Sequence, residues 1–284
     1  MIRYSCAEYT FPLLPRVERF KLLQLLGFKY ADLGLFERSS DLRPGQLAAD
    51  PKNFTRLLKS DLKSAGLAVS DVFLQIGLDP TLNAANDPSP RVRSRNRRVF
   101  TQALELCAAL ACKHLTGLPG VHHSDSTVAD DLALASEEAA WRQRTASEAG
   151  VTYAIEAHIG SICSDVASAR SLIEAVPGLS LTLDYGHFVA ENIPSREVHS
   201  LLPFASHVHV RGGAPGQLQT PLADNKIDFK GMIRRLKKQD SDVFLALEYV
   251  WTDWRQCNRT DNVSETILLR RFLEDIEKKL NDLK

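Results

Sequence analysis

What most narrows the fold of this chain is a rhythm. Apolar, strand-like runs recur eight times along 284 residues, each followed by a longer stretch of helical character. The runs are Ile2–Cys6, Phe28–Phe36, Leu67–Ile76, Lys113–Gly117, Val151–His158, Leu179–Gly186, Ala205–Arg211 and Val243–Trp251. Several are apolar at consecutive positions, as in Val243-Phe244-Leu245-Ala246-Leu247, which predicts parallel strands buried between two layers. Between them, Arg16–Leu26 carries Val17, Phe20, Leu23 and Leu26 at helical spacing, with Gly27 as a stop. Ser264–Leu283 likewise presents Ile267, Leu268, Phe272, Ile276 and Leu280 as one stripe. Eight βα units without a linker predict an α/β fold, a parallel eight-stranded (β/α)8 TIM barrel with residues 1–284 as a single domain. The competing open, doubly wound sheet would carry a G-x-G-x-x-G phosphate turn after an early strand, and the sequence has none. Leu78–Pro90 reads as a long loop after the third strand.

Composition sets the outer bounds. Lys and Arg total 35 against 35 Asp and Glu, which speaks against nucleic acid as the main partner. With 44% apolar residues the chain can build a full-sized core, and a disordered chain is excluded. No apolar run reaches the roughly 18 residues of a membrane span. Met1–Cys6 reads as a strand rather than a signal peptide. Cys6, Cys107, Cys112, Cys163 and Cys257 form no C-x-x-C pair, so free thiols and a cytoplasmic location are expected.

In a barrel, chemistry gathers at the C-terminal ends of the strands. The last four runs end or pass through Glu156-Ala157-His158, Asp184-Tyr185-Gly186-His187, His207-Val208-His209-Val210-Arg211 and Glu248-Tyr249. Residues two apart share a strand face, so Glu156 is expected beside His158, and His207, His209 and Arg211 in one row. Taken singly, each acid has a structural alternative, a salt bridge or a helix cap. Together, Glu156, Asp184 and Glu248 in one apolar cage would repel one another unless a cation lies between them. With His209 they form a hard, mostly oxygen donor set suited to one divalent ion, Mn, Mg or Co, with Zn also acceptable.

The stretches "IEAHIGS", "LDYGHF", "HVHVRGGAPGQLQTP…IDF" and "LALEYVW" resemble the xylose isomerase-like TIM-barrel superfamily of sugar isomerases, epimerases and endonuclease IV. The similarity is clearest from Leu115 to Trp251, and the first three strands match only in layout. The resemblance implies metal ligands at Glu156, Asp184, His209 and Glu248. It implies a small sugar or polyol substrate and proton transfer through a metal-stabilised enediolate, with Glu156 and Glu248 as the catalytic pair. His187 matches the family's substrate-binding histidine after the strand-six Asp, and His158 and Arg211 are further expected substrate contacts. A homodimer or tetramer is the assembly such barrels suggest.

The match also departs from the family's ketose 3-epimerases. Their additional Glu, six residues after the strand-five Glu, is Ile162 here, and their substrate Arg, six beyond the metal His, is Pro215. Arg211 is the expected substitute. The alternative activity is a metal-dependent dehydratase or lyase acting on an inosose or keto-sugar. An apurinic-site endonuclease fits less well, because strand three ends without a histidine, and a non-catalytic sugar-binding barrel would have no need of the ligands. Elsewhere, Arg91, Arg93, Arg95, Arg97 and Arg98 precede an expected helix Val99–Ala111 and read as its solvated start. His122 and His123 read as loop residues and Cys163 as unreactive. Trp251 and Trp254 read either as walls of a sugar site or as packing under a loop.

Overall fold

Because side chains alternate along a strand, each run must divide its residues between two environments. In the computed structural model, which describes residues 1–38 and 40–282, the runs form β1 (Ile2–Ala7), β2 (Tyr30–Phe36), β3 (Ala68–Gln75) and β4 (His114–Gly117). They continue as β5 (Thr152–Glu156), β6 (Ser180–Asp184), β7 (Ala205–Val210) and β8 (Val243–Leu247). Every strand pairs in parallel with its sequence neighbour, and Ile2–Cys6 of β1 pair with Val243–Leu247 of β8, closing the barrel. Around it lie α1 (Arg16–Leu25), α2 (Pro44–Ala49), α3 (Pro51–Ser64), α4 (Pro90–Ala109) and α5 (Val128–Glu148). The ring is completed by α6 (Val166–Ala175), α7 (Tyr185–Ala190), α8 (Ser195–Val198), α9 (Phe229–Lys238) and α10 (Asn262–Asn281). This is the (β/α)8 barrel expected from the sequence. No described helix is long and apolar enough to cross a membrane.

The apolar core lies between the strands and the helices. Leu33, Val72, Leu115, Ile155, Leu181 and Leu245 face outward onto helix residues such as Phe20, Phe100, Leu172, Leu236 and Leu269. The other strand face points into the barrel and is polar. Thr116 of β4 hydrogen-bonds Thr182 of β6 at 2.6 Å, and His207 of β7 meets Asp32 of β2 at 2.6 Å, contacts between non-neighbouring strands that run across the interior. The expectation that several strands are apolar on both faces holds for β8, where Val243, Leu245, Ala246 and Leu247 are buried, and is corrected where Asp32, Thr116, Thr182 and His207 turn inward.

Three further expectations are refined. The fifth to eighth strands stop earlier than the apolar runs, so Glu156 and Asp184 are terminal strand residues and His158 lies beyond its strand. α4 begins at Pro90 rather than Val99, and its arginines are not simply solvated. Arg93 and Arg97 reach the buried Glu138 of α5 at 3.3 and 2.7 Å, and Arg97 stacks over Trp141. On α10 the buried face is Thr266, Leu269, Leu273 and Ile276, while Leu268 and Phe272 are exposed. Its expected last residue, Leu283, lies outside the described residues.

Candidate active site

The C-terminal ends of β5 to β8 deliver four polar side chains to one point. Glu156 and Asp184 end β5 and β6, His209 pairs with Asp184 in the β6–β7 register, and Glu248 directly follows β8. All four are 5% exposed or less. His209 Nδ1 lies 2.7 Å from Glu156 Oε1 and 3.5 Å from Glu248 Oε2. Asp184 divides its oxygens: Oδ1 accepts the Gly186 amide at 2.7 Å, capping α7, while Oδ2 meets the guanidinium of Arg211. The helix-cap alternative thus holds for one oxygen and leaves the other to the site. Arg211 Nη2 is also 3.5 Å from Glu248 Oε2 and 3.2 Å from His187 Nε2.

Charge is unbalanced here. Glu156, Asp184 and Glu248 share two cationic partners, the Arg211 guanidinium and the His209 imidazole, so the carboxylates outnumber the cations in a buried site. The titration of the groups reflects this. Burial pushes the Glu156 carboxyl up to about 7, with Glu248 and Asp184 adding to the rise against the His209 hydrogen bond. Burial alone would depress His209, but Glu248, Asp32 and Glu156 around it raise it well above the usual imidazole range. His187 is held well below that range by burial and by Arg211, so it is neutral at pH 7. Burial lowers His158 as well. Its Nδ1–H donates to the Ile159 carbonyl at 2.8 Å, which leaves Nε2 a buried acceptor with no partner.

Ligand atoms come within 4.8 Å of one another in two groups at this mouth, Glu156–Asp184–His187 and Glu156–His209–Glu248. A third group lies deeper, at Asp32, Asp71, His207 and His209.

The structure places Glu156, Asp184, His187, His209, Arg211 and Glu248 together. The strand-face argument for Glu156 and His158 fails, because the chain has left β5 by His158. The ring instead lies 5.8 Å from that of His187. Trp251 and Trp254 are both partly exposed, and Trp254 stands 6.3 Å from His187, which makes it a wall of the mouth rather than loop packing. His122 and the His123 amide bond Asp131 at the start of α5, in keeping with a loop role. Cys163 is buried, and burial raises its thiol to about 12. Ile162 belongs to the core and Pro215 is exposed.

Sequence reasoning missed Tyr9, whose hydroxyl donates to Glu248 Oε1 at 2.9 Å. Burial and the negative charge of Glu248 raise the phenol well above its usual range, so it keeps its proton. Asp32 was also missed, although a lone acid in the apolar run Ala31-Asp32-Leu33 was a readable signal.

A family model for the xylose isomerase-like TIM barrel matches residues 20–273. The chain belongs to that family. Among solved structures of similar fold, an L-ribulose 3-epimerase superimposes with a TM-score of 0.74 at 17% identity, covering 100% of this chain and 98% of that one. A D-allulose 3-epimerase from Methylomonas sp. gives 0.73 at 14% identity, covering 97% and 98%. A probable 3-DHS dehydratase from Bacillus anthracis gives 0.68 at 15%, covering 94% and 98%. At these identities the likeness concerns the fold. No curated protein matches the sequence.

Proposed function

We propose that the protein is a sugar or polyol isomerase or epimerase that moves a proton at a carbon adjoining a carbonyl, using one divalent ion. The observation that carries this reading is the set of buried carboxylates at the mouth, Glu156 and Glu248 on His209 Nδ1 and Asp184 on Arg211, which outweigh Arg211 by two charges once His209 gives up its proton to a ligand. A dication matches both that charge and that donor set, Mn, Mg or Co best and Zn acceptably. Glu156, Asp184, His209 and Glu248 would hold it, and when bound it supplies Lewis-acid polarisation of the substrate carbonyl.

The remaining work falls to the chain's own groups. Glu156 and Glu248 both lie within 3.5 Å of His209 Nδ1, so both carboxylates reach the same substrate region. One withdraws the proton from carbon and the other returns one. Tyr9 steadies Glu248 through its hydrogen bond and, by keeping its own proton, never competes as a base. The unpartnered His158 Nε2 accepts a substrate hydroxyl, the unpartnered Arg211 Nε donates to a substrate oxygen, and the neutral His187 contacts a third. Five buried thiols suit a reducing compartment such as the cytoplasm.

A second reading is dehydration of a keto-sugar or inosose, begun by the same proton withdrawal. It is favoured by Ile162 and Pro215 standing where ketose 3-epimerases carry substrate-binding Glu and Arg. To test both, chelator-stripped protein is resupplied with Mn and incubated with a panel of ketoses, keto-sugars and inososes, with products read by chromatography. A Mn-dependent epimer is the expected result. A dehydrated product transfers the site to the second reading, and no conversion of any member counts against both.

A further inference from the structure

Below the mouth, the barrel interior holds a second convergence. Barrel interiors are normally packed with branched aliphatic side chains, yet here β1, β2, β3, β4 and β7 contribute Ser5, Asp32, Asp71, His114 and His207, all buried. Two bulges help to build it. The pairing of β2 with β3 skips Ser70, and that of β6 with β7 skips Ser206. Ser70 and Asp71 thereby both reach the interior network, as do Ser206 and His207.

Each carboxylate in this cluster uses its oxygens differently. Asp32 Oδ1 accepts the hydroxyls of Ser5 and Ser70, while Oδ2 faces His207 Nε2 at 2.6 Å and His209 Nε2 at 3.6 Å. Asp71 Oδ1 is held by His114 Nδ1 at 2.6 Å, and Oδ2 is buried with no partner. In Asp71, one oxygen anchored and the other free is the arrangement of a metal-ligating carboxylate held by an outer hydrogen bond. The spacings of 2.6 and 3.6 Å around Asp32 Oδ2 also repeat the 2.7 and 3.5 Å around His209 Nδ1 at the mouth. The hydrogen bond between Asp32 and His207 is complete in itself, but Asp71 Oδ2 is left buried and unsatisfied.

We propose that Asp32, Asp71, His207 and His209 form a second metal site, structural in role, for a zinc- or cobalt-class divalent ion. Their ligand atoms lie within 4.8 Å of one another and all four residues are buried. Two carboxylate oxygens and two imidazole nitrogens make a closed four-coordinate set with no place for substrate. His207 offers its Nε2 lone pair by carrying its proton on Nδ1. His209 presents Nε2 inward and Nδ1 to the mouth. Each ring nitrogen would thus serve one site, and with both sites filled the last ring proton would pass to solvent. The inner ion thereby fixes the ring on which the mouth set is built. The two sites share His209 alone, and Asp32, Asp71 and His207 take no part in the mouth set, so each can be removed without the other.

The test is metal stoichiometry by elemental analysis after titration of stripped protein with Zn or Co, with the visible spectrum of bound Co as a second readout. Wild type should bind two ions per chain, Asp71→Asn one, and Glu248→Gln should keep the inner one together with its four-coordinate Co spectrum. His207→Gln is the companion variant should Asp71→Asn fail to fold by circular dichroism. Equal loading of wild type and Asp71→Asn overturns the inner site. A single ion lost in Glu248→Gln but retained in Asp71→Asn overturns it too, while leaving the mouth reading intact. The reverse pattern upholds the inner site and removes the mouth ion.

Discussion

The two halves of the barrel mouth are built from unlike materials. The β5–β8 half presents Glu156, Asp184, His209, Arg211 and Glu248. The β1–β4 half presents an aromatic cluster, with Tyr9 against Phe36 at 4.9 Å, Phe36 against Phe73 at 5.2 Å, and Leu118 packed beside them. Phe73 closes the gap to the charged half, 5.8 Å from His209. Charges act most strongly where water and other dipoles are excluded. The apolar half therefore gives the acidic half its force, and the Tyr9 hydroxyl on Glu248 is a polar thread between them.

That division can be broken from either side. The largest effect on activity is expected from Glu248→Gln, which removes a proton-transfer group on the charged side. It should lower kcat by about 10²–10⁴-fold with an unchanged circular dichroism spectrum. Phe73→Ala attacks the other side. It should cost about 3–5 kcal/mol of stability in urea unfolding, because it opens a cavity beside His209. Tyr9→Phe cuts the thread while keeping the ring, so steady-state kinetics should show kcat about tenfold lower, with a stability loss of only about 1 kcal/mol from the buried Glu248 oxygen left unpaired. If Tyr9→Phe instead destabilised the fold as much as Phe73→Ala, the hydroxyl would belong to the packing half.

The smallest expected effect is one of pH. Burial holds the Glu156 carboxyl up to about 7, above its unfolded value. Below that pH the protonated form prevails, and protons compete with an ion for the same oxygen. Mn affinity should therefore fall as pH falls, by at least about fourfold between pH 8 and pH 6.5 from Glu156 and further because His209 must also give up a proton, as read by calorimetric titration. Affinity that is flat over this range would place Glu156 outside the ion's ligands.

The same two halves differ in how much of them the sequence discloses. In β5–β8 the polar residues end apolar runs, as at Glu156 and Asp184, so their position marks them directly. In β1–β4 the polar residues sit inside the runs, where alternation cannot say which face is the barrel interior. Asp32 and Asp71 are examples, and the bulge at Ser70 also shifts the count by one. Tyr9 lies in the short turn after β1, where no periodicity applies. On α10, Leu268 and Phe272 resembled core residues by type, yet Leu269 and Leu273 one position later face the barrel. Hydrophobicity marks a buried helix but cannot by itself rotate it.

The proposed reaction turns on a proton exchanged at carbon between Glu156, Glu248 and the substrate. The most direct measurement is NMR of a converted sugar recovered from heavy water, with Mn present. The account predicts deuterium at the carbon adjoining the carbonyl, entering at least about 10²-fold more slowly in Glu156→Gln and in Glu248→Gln. Conversion with no deuterium at that carbon would contradict it.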